Sequence, residues 1–131
     1  MRLLLDTHIW LWSLLEPSRI AKRTRSALTR PSAERWISPI SLWEVITLYE
    51  KGRLELNTDA RSWLRQALKA APISEAPLTN EVVFATRDIV LPHHDPADAF
   101  IAATAKVFNL TLVTADRRLL ACKTIATIGN S

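Results

Sequence analysis

A chain of 131 residues with 48% apolar composition and five tryptophans fits one ordinary domain with a real core, which excludes a disordered chain. The lone Cys122 excludes an internal disulfide framework and fits a reducing compartment, and no apolar run reaches the roughly 18 residues of a membrane span. Net charge is +4, from 17 Lys plus Arg against 13 Asp plus Glu, and with only Gly52 and Gly129 a glycine-rich phosphate loop is excluded. The apolar stretch after Met1-Arg2 is too short for a signal peptide, so the expectation is a single cytoplasmic domain over residues 1–131.

In chain order, residues 2–6 read as a short buried strand, followed by a helix from Thr7 to Leu15 that stops before Glu16-Pro17. A second helix is expected from Ser18 to Thr29, and a strand at Trp36-Ile37-Ser38. Ser41 to Lys51 makes a helix with Gly52 at the position after its C-cap, where a left-handed residue is favoured. An amphipathic helix from Asp59 to Ala71, a minor strand from Ile73 to Ala76 and a helix from Thr79 to Val90 come next. Asp95-Pro96 opens a helix through Phe108, with proline at its natural first position. Leu110 to Thr114 is strand-like, Asp116 to Ala121 a short helix and Thr124 to Ile128 a last strand. Strands alternating with helices imply an α/β domain with a mostly parallel sheet, whose ligands bind beyond the carboxyl ends of the strands. Asp6 and Asp116 both fall there.

Four carboxylates stand in the most apolar segments: Asp6 after Leu3-Leu4-Leu5, Glu44 within Leu42–Ile46, Asp98 before Ala99–Ala103, and Asp116 after Leu110–Ala115. A lone carboxylate in an apolar setting is costly unless paired or metal-bound. Each has a bland explanation. Ser41 and Glu44 match a capping box, Asp95 and Asp98 an analogous arrangement, and Asp6 and Asp116 could each cap the following helix. Together they point elsewhere. If they approach within about 5 Å, each like-charge pair costs roughly 3 kcal/mol at an effective dielectric near 20. Such a cluster survives by protonating one member or by holding a cation, and oxygen ligands favour Mg²⁺ or Mn²⁺ over zinc.

Thr7, Asp95 and Thr114 stand beside these acids and are candidates to orient them. The histidines show no zinc spacing: His8 reads as a helix-start residue and His94-Asp95-Pro96 as turn and cap chemistry. The stretch from Arg19 to Arg35 holds six cations and one acid, either a solvated face or a phosphate-binding edge. With the four acids set aside, nine remain against seventeen cations, a basic body around an acidic pocket suited to a polyanion.

The residues also carry a resemblance. Leu4-Leu5-Asp6-Thr7-His8-Ile9-Trp10 resembles the first motif of PIN-domain ribonucleases, and Ser38-Pro39-Ile40-Ser41-Leu42-Trp43-Glu44-Val45 the second. His94-Asp95-Pro96-Ala97-Asp98-Ala99-Phe100 is similar to the third, and Leu112-Val113-Thr114-Ala115-Asp116 to the fourth. The four occur in family order over nearly the whole chain, and the length resembles VapC toxins of type II toxin–antitoxin pairs. The resemblance implies a compact α/β/α sandwich, a homodimer, and inhibition by a small antitoxin whose tail enters the acidic groove. It implies that Asp6, Glu44, Asp98 and Asp116 are the catalytic metal ligands of an Mg²⁺- or Mn²⁺-dependent endoribonuclease. A housekeeping PIN nuclease and a non-catalytic metal-binding module of receiver-like fold are the alternatives. The second fits less well, because Asp6 has no adjacent acid.

Overall fold

The structure, a computed structural model, describes residues 1–131. Five strands form one sheet: β1 (Arg2–Leu5), β2 (Glu34–Ile37), β3 (Ser74–Glu75), β4 (Thr111–Thr114) and β5 (Thr127–Gly129). All neighbours pair in parallel, in the order β3-β2-β1-β4-β5. Parallel neighbours need crossovers, and seven helices supply them: α1 (Thr7–Leu15), α2 (Lys22–Thr29), α3 (Pro39–Glu50), α4 (Ala60–Ala70), α5 (Asn80–Ala85), α6 (Pro96–Val107) and α7 (Arg117–Leu120). The strand order differs from the 2-1-3-4-5 order of receivers, which removes the receiver-like alternative.

The central strands are apolar on both faces because both are covered. Leu3, Leu5 and Val113 point to one side and pack with Ile9, Trp10 and Leu11 of α1, Leu28 of α2, Val45 of α3 and Leu64 and Ala67 of α4. Leu4 and Leu112 point the other way, against Ile101, Ala102 and Ala105 of α6 and Leu119 of α7. This period-two alternation within continuous apolar runs makes three layers, α/β/α. Fully burying each such leucine stabilises the fold by about 1.5–3 kcal/mol. Of the five tryptophans, Trp10 is buried, whereas Trp43 is 58% exposed.

Several boundaries differ from expectation for local reasons. β1 ends at Leu5, because Asp6 leaves the strand to cap α1. The second helix does not start at Ser18: Pro17–Arg19 form one 3₁₀ turn and α2 begins at Lys22. The C-terminal tail fixes that break. The Asn130 side chain accepts from the Ala21 N–H at 2.8 Å and donates to the Arg19 carbonyl at 2.9 Å. α3 begins at Pro39 rather than Ser41, since Ser38 is its N-cap and Pro39 takes the first position. Ser41 and Glu44 therefore form no capping box. Along α3 only Ser41 and Val45 are buried. The helix expected to reach Val90 stops at Ala85 and tightens to a 3₁₀ turn through Asp88. The last strand shifts from Thr124 to Thr127. Gly52 does follow the C-cap of α3, at φ 71°.

Candidate functional site

β1 is the sheet's origin. The chain builds β2 and β3 to one side of it, then returns to build β4 and β5 on the other. Strand order reverses between β1 and β4, and the crevice beyond their carboxyl ends is where this architecture binds ligands. An open cavity of about 400 Å³ lies there, lined by Asp6, His8, Trp12, Glu44, Asp95, Asp98, Ala115, Asp116 and Arg118. All four sequence-derived acids line it. They arrive from four elements: Asp6 from the end of β1, Glu44 from α3, Asp98 from the first turn of α6, and Asp116 from the turn after β4.

The hydroxyl neighbours hold the acids across the switch point. Asp6 Oδ1 accepts the Thr7 N–H at 2.8 Å, and Asp6 Oδ2 accepts the Thr114 hydroxyl at 2.6 Å. The same Thr114 oxygen accepts the Asp116 N–H at 3.0 Å, so one threonine ties two acids from adjacent strands. Thr7 Oγ1 lies 2.5 Å from Glu44 Oε1 and 2.8 Å from Ser41 Oγ. A hydroxyl has a single proton, and donating it to the carboxylate is the stronger bond, which leaves Ser41 to donate to Thr7. Asp95 caps α6, its Oδ1 accepting from the N–H groups of Ala97 and Asp98. Asp98 does not return a capping bond to Asp95; its Oδ2 meets His93 Nε2 at 2.7 Å.

Electrostatics divide the acids. Burial pushes the Asp6 and Asp98 carboxyls above their ordinary range, and hydrogen bonds from Thr114 and His93 only partly offset it. Burial pushes Glu44 up to about 7, against the opposing hydrogen bond from Thr7, with Asp6 and Asp98 adding like-charge repulsion. Asp116 goes the other way, because hydrogen bonding to Arg118 lowers it. In all three burial is the leading cause, and like charge from neighbouring acids of the cavity adds to it.

Ligand atoms of His93, Asp98 and Asp116 lie within 4.8 Å of one another. Asp6 and Glu44 line the same cavity without joining that tight group. Periodicity and motif spacing point to neither His93 nor Arg118. The signal for His93 is its place five residues before Asp98, across a proline-bearing cap that folds the chain back on itself. The signal for Arg118 is its place two residues after an N-cap acid. The donor set, carboxylate oxygens with one imidazole nitrogen, fits a hard or borderline divalent cation.

Thr114 also offers a test of the orienting network. Thr114→Val keeps the shape but leaves Asp6 Oδ2 and the Asp116 N–H without their partner. Loss of such a supporting bond typically weakens metal affinity about 10–100-fold. Calorimetric titration with Mn²⁺ should show a loss of that size in the folded variant.

Comparison with known proteins bears on the family and the fold. The family model for the PIN domain matches residues 3–123. Ribonuclease VapC22 of Mycobacterium tuberculosis is 35% identical over 119 residues, covering 88% of each chain. Among solved structures, VapBC2 from Rickettsia felis, bound to a DNA fragment from its promoter, superposes with a TM-score of 0.74 at 16% identity, covering 100% of both chains. A toxin–antitoxin complex from Klebsiella pneumoniae gives 0.65 at 17% identity, covering 98% of this chain and 97% of that one. The two superpositions speak to the fold, and the family match with the 35% relative speaks to descent: the chain belongs to the PIN-domain family, among its VapC-like ribonucleases.

Proposed function

We propose that the chain is an Mg²⁺- or Mn²⁺-dependent endoribonuclease acting as the toxin of a toxin–antitoxin pair. The observation that carries this reading is the meeting of Asp6, Glu44, Asp98 and Asp116 around one open cavity at the switch point of the sheet. The ribonuclease relative and the toxin–antitoxin neighbours support it. Asp6, Glu44, Asp98 and Asp116 would hold the cation. When bound, it supplies charge neutralisation at the scissile phosphate and acidifies a water for attack near neutral pH.

The chain's own residues supply orientation. Thr114 and Thr7 hold the Asp6 and Glu44 carboxylates, and His93 holds Asp98. Asp95 fixes the start of α6, which sets where Asp98 stands. Sixteen cations against eight acids outside the cavity provide a field that draws a polyanion, and Lys22, Arg23, Arg25 and Arg30 are exposed for it. The partner in this reading is a cognate antitoxin. A homodimer belongs to the same proposal, supported by the exposed apolar Val83 and Phe84 on α5 and Val90 beyond it. No helix is long and apolar enough to cross a membrane, and the cytoplasm, where RNA is met, is the compartment proposed.

Purified protein freed of antitoxin should cut total RNA with Mn²⁺ or Mg²⁺, stop in EDTA, and recover when the cation is returned. Undiminished cleavage in EDTA would overturn the mechanism.

A further inference from the structure

Five carboxylates line the cavity, and one permanent cation faces them: Arg118. Its Nη2 donates to Asp116 Oδ2 at 3.0 Å, its Nε to Oδ1 at 3.2 Å, and its backbone N–H to Oδ1 at 2.8 Å. Both oxygens of Asp116 are thus engaged by one residue. No other acid of the cavity has a guanidinium or ammonium partner, since Asp6 and Glu44 take hydroxyls, Asp98 takes an imidazole and Asp95 takes backbone N–H groups. Yet Asp116 also belongs to the tight group of ligand atoms with His93 and Asp98.

We infer that Arg118 is the pocket's built-in counter-ion, which competes with the cation for Asp116 and turns to an RNA phosphate when the cation takes that carboxylate. The inference rests on the nuclease reading above and adds a residue and a sequence of events to it. Three physical points carry it. First, the pair is cheap to break. The Arg118 and Asp116 side chains are 53% and 25% exposed, and ion pairs at such positions contribute little to stability. Second, a cation entering beside Asp116 meets an acid whose charge is already offset, so Arg118 opposes it by like-charge repulsion. Third, the backbone bond from Arg118 to Asp116 needs no side chain, so the guanidinium can leave while its Cα stays at the cavity rim. The planar fork that matches a carboxylate also matches a phosphate, which makes the exchange one of partners rather than of geometry.

The test uses the full chain and three proteins: unmutated, Arg118→Gln, and Arg117→Gln, an exposed neighbour whose side chain makes no hydrogen bond or ion pair. Mn²⁺ affinity is measured by calorimetry. Affinity for a fluorescent RNA oligonucleotide is measured against salt, with Ca²⁺ replacing Mn²⁺ to slow cleavage. Arg118→Gln should bind Mn²⁺ roughly two- to fivefold more tightly, the scale of a partly exposed ion pair. It should bind RNA more weakly, with a salt slope shallower by about one. Arg117→Gln should leave Mn²⁺ affinity unchanged. Mn²⁺ affinity unchanged or weakened in Arg118→Gln would overturn the inference, as would an unchanged RNA affinity and slope. If the unmutated chain binds no Mn²⁺, the nuclease reading itself fails and takes this inference with it.

Discussion

Asp6→Asn is expected to abolish RNA cleavage and, at the same time, to raise the melting temperature measured in EDTA. The two signs follow from one cause. Asp6 is 8% exposed, and burial pushes its carboxyl upward, so its negative charge is unfavourable until a cation offsets it. Asparagine removes the charge and keeps the shape. It is as good an N-cap as aspartate, so the bond from the Thr7 N–H survives and α1 stays capped. Its amide nitrogen can donate to Thr114 Oγ1 where the carboxylate accepted from it. What disappears is the negative charge proposed to hold the cation. Losing a group that merely supports a ligand costs about 10–100-fold, so losing the ligand should cost at least about a hundredfold in cleavage rate. Rate comes from gel-resolved cleavage of total RNA, and stability from circular dichroism melts. A folded variant that retains cleavage within tenfold contradicts the role of Asp6. Lost cleavage with a lowered melting temperature would mean damage to the fold instead.

The second large effect is on pH dependence, whose direction should depend on the cation. Glu44 titrates at about 7 in the folded chain against an ordinary 4.5. Between those values the folded state holds more protons than the unfolded state, so the stability it contributes is full below about pH 4.5 and is lost as pH rises through about 7. Asp6 and Asp98 are raised and act with the same sign. Asp116 and Asp59 are lowered, so theirs is lost only in acid, below the ordinary carboxylate range. In EDTA the melting temperature should therefore fall between about pH 5 and pH 8. Excess Mn²⁺ should reverse the slope, because a cation binds the deprotonated carboxylates and stabilises the folded state by mass action. Cleavage should rise over the same window. Melting temperatures that ignore pH in EDTA would show that these carboxyls are not held in one strained cluster.

Much of this was legible in the sequence because the relevant physics is local. Leu3-Leu4-Leu5 and Leu112-Val113 read as strands since a short unbroken apolar run suits a sheet covered on both faces. Asp95-Pro96 marks the start of α6 through chemistry that lies within three residues. The four acids stand out because each interrupts an apolar segment. What was hidden is either ambiguous or long-range. Ser41 and Glu44 match the capping pattern, but Pro39 pre-empts it and was the better signal for the start of α3. The break between Arg19 and Lys22 depends on Asn130, 109 residues from Ala21, and no window of sequence contains both. His93 shows no zinc spacing in the sequence, and its partner, Asp98, lies around a corner that only the folded cap creates. Nothing in the sequence separates Arg118 from the other cations of a basic chain; its fork on Asp116 is a product of the folded turn.

The central claim is that Asp6, Glu44, Asp98 and Asp116 share one metal centre. Anomalous diffraction from Mn²⁺-soaked crystals, recorded at the manganese edge, tests it most directly. The account predicts a peak inside the cavity at coordination distance, about 2.0–2.2 Å, from carboxylate oxygens drawn from these four residues. A peak bound elsewhere, or an empty cavity at saturating Mn²⁺, would contradict it.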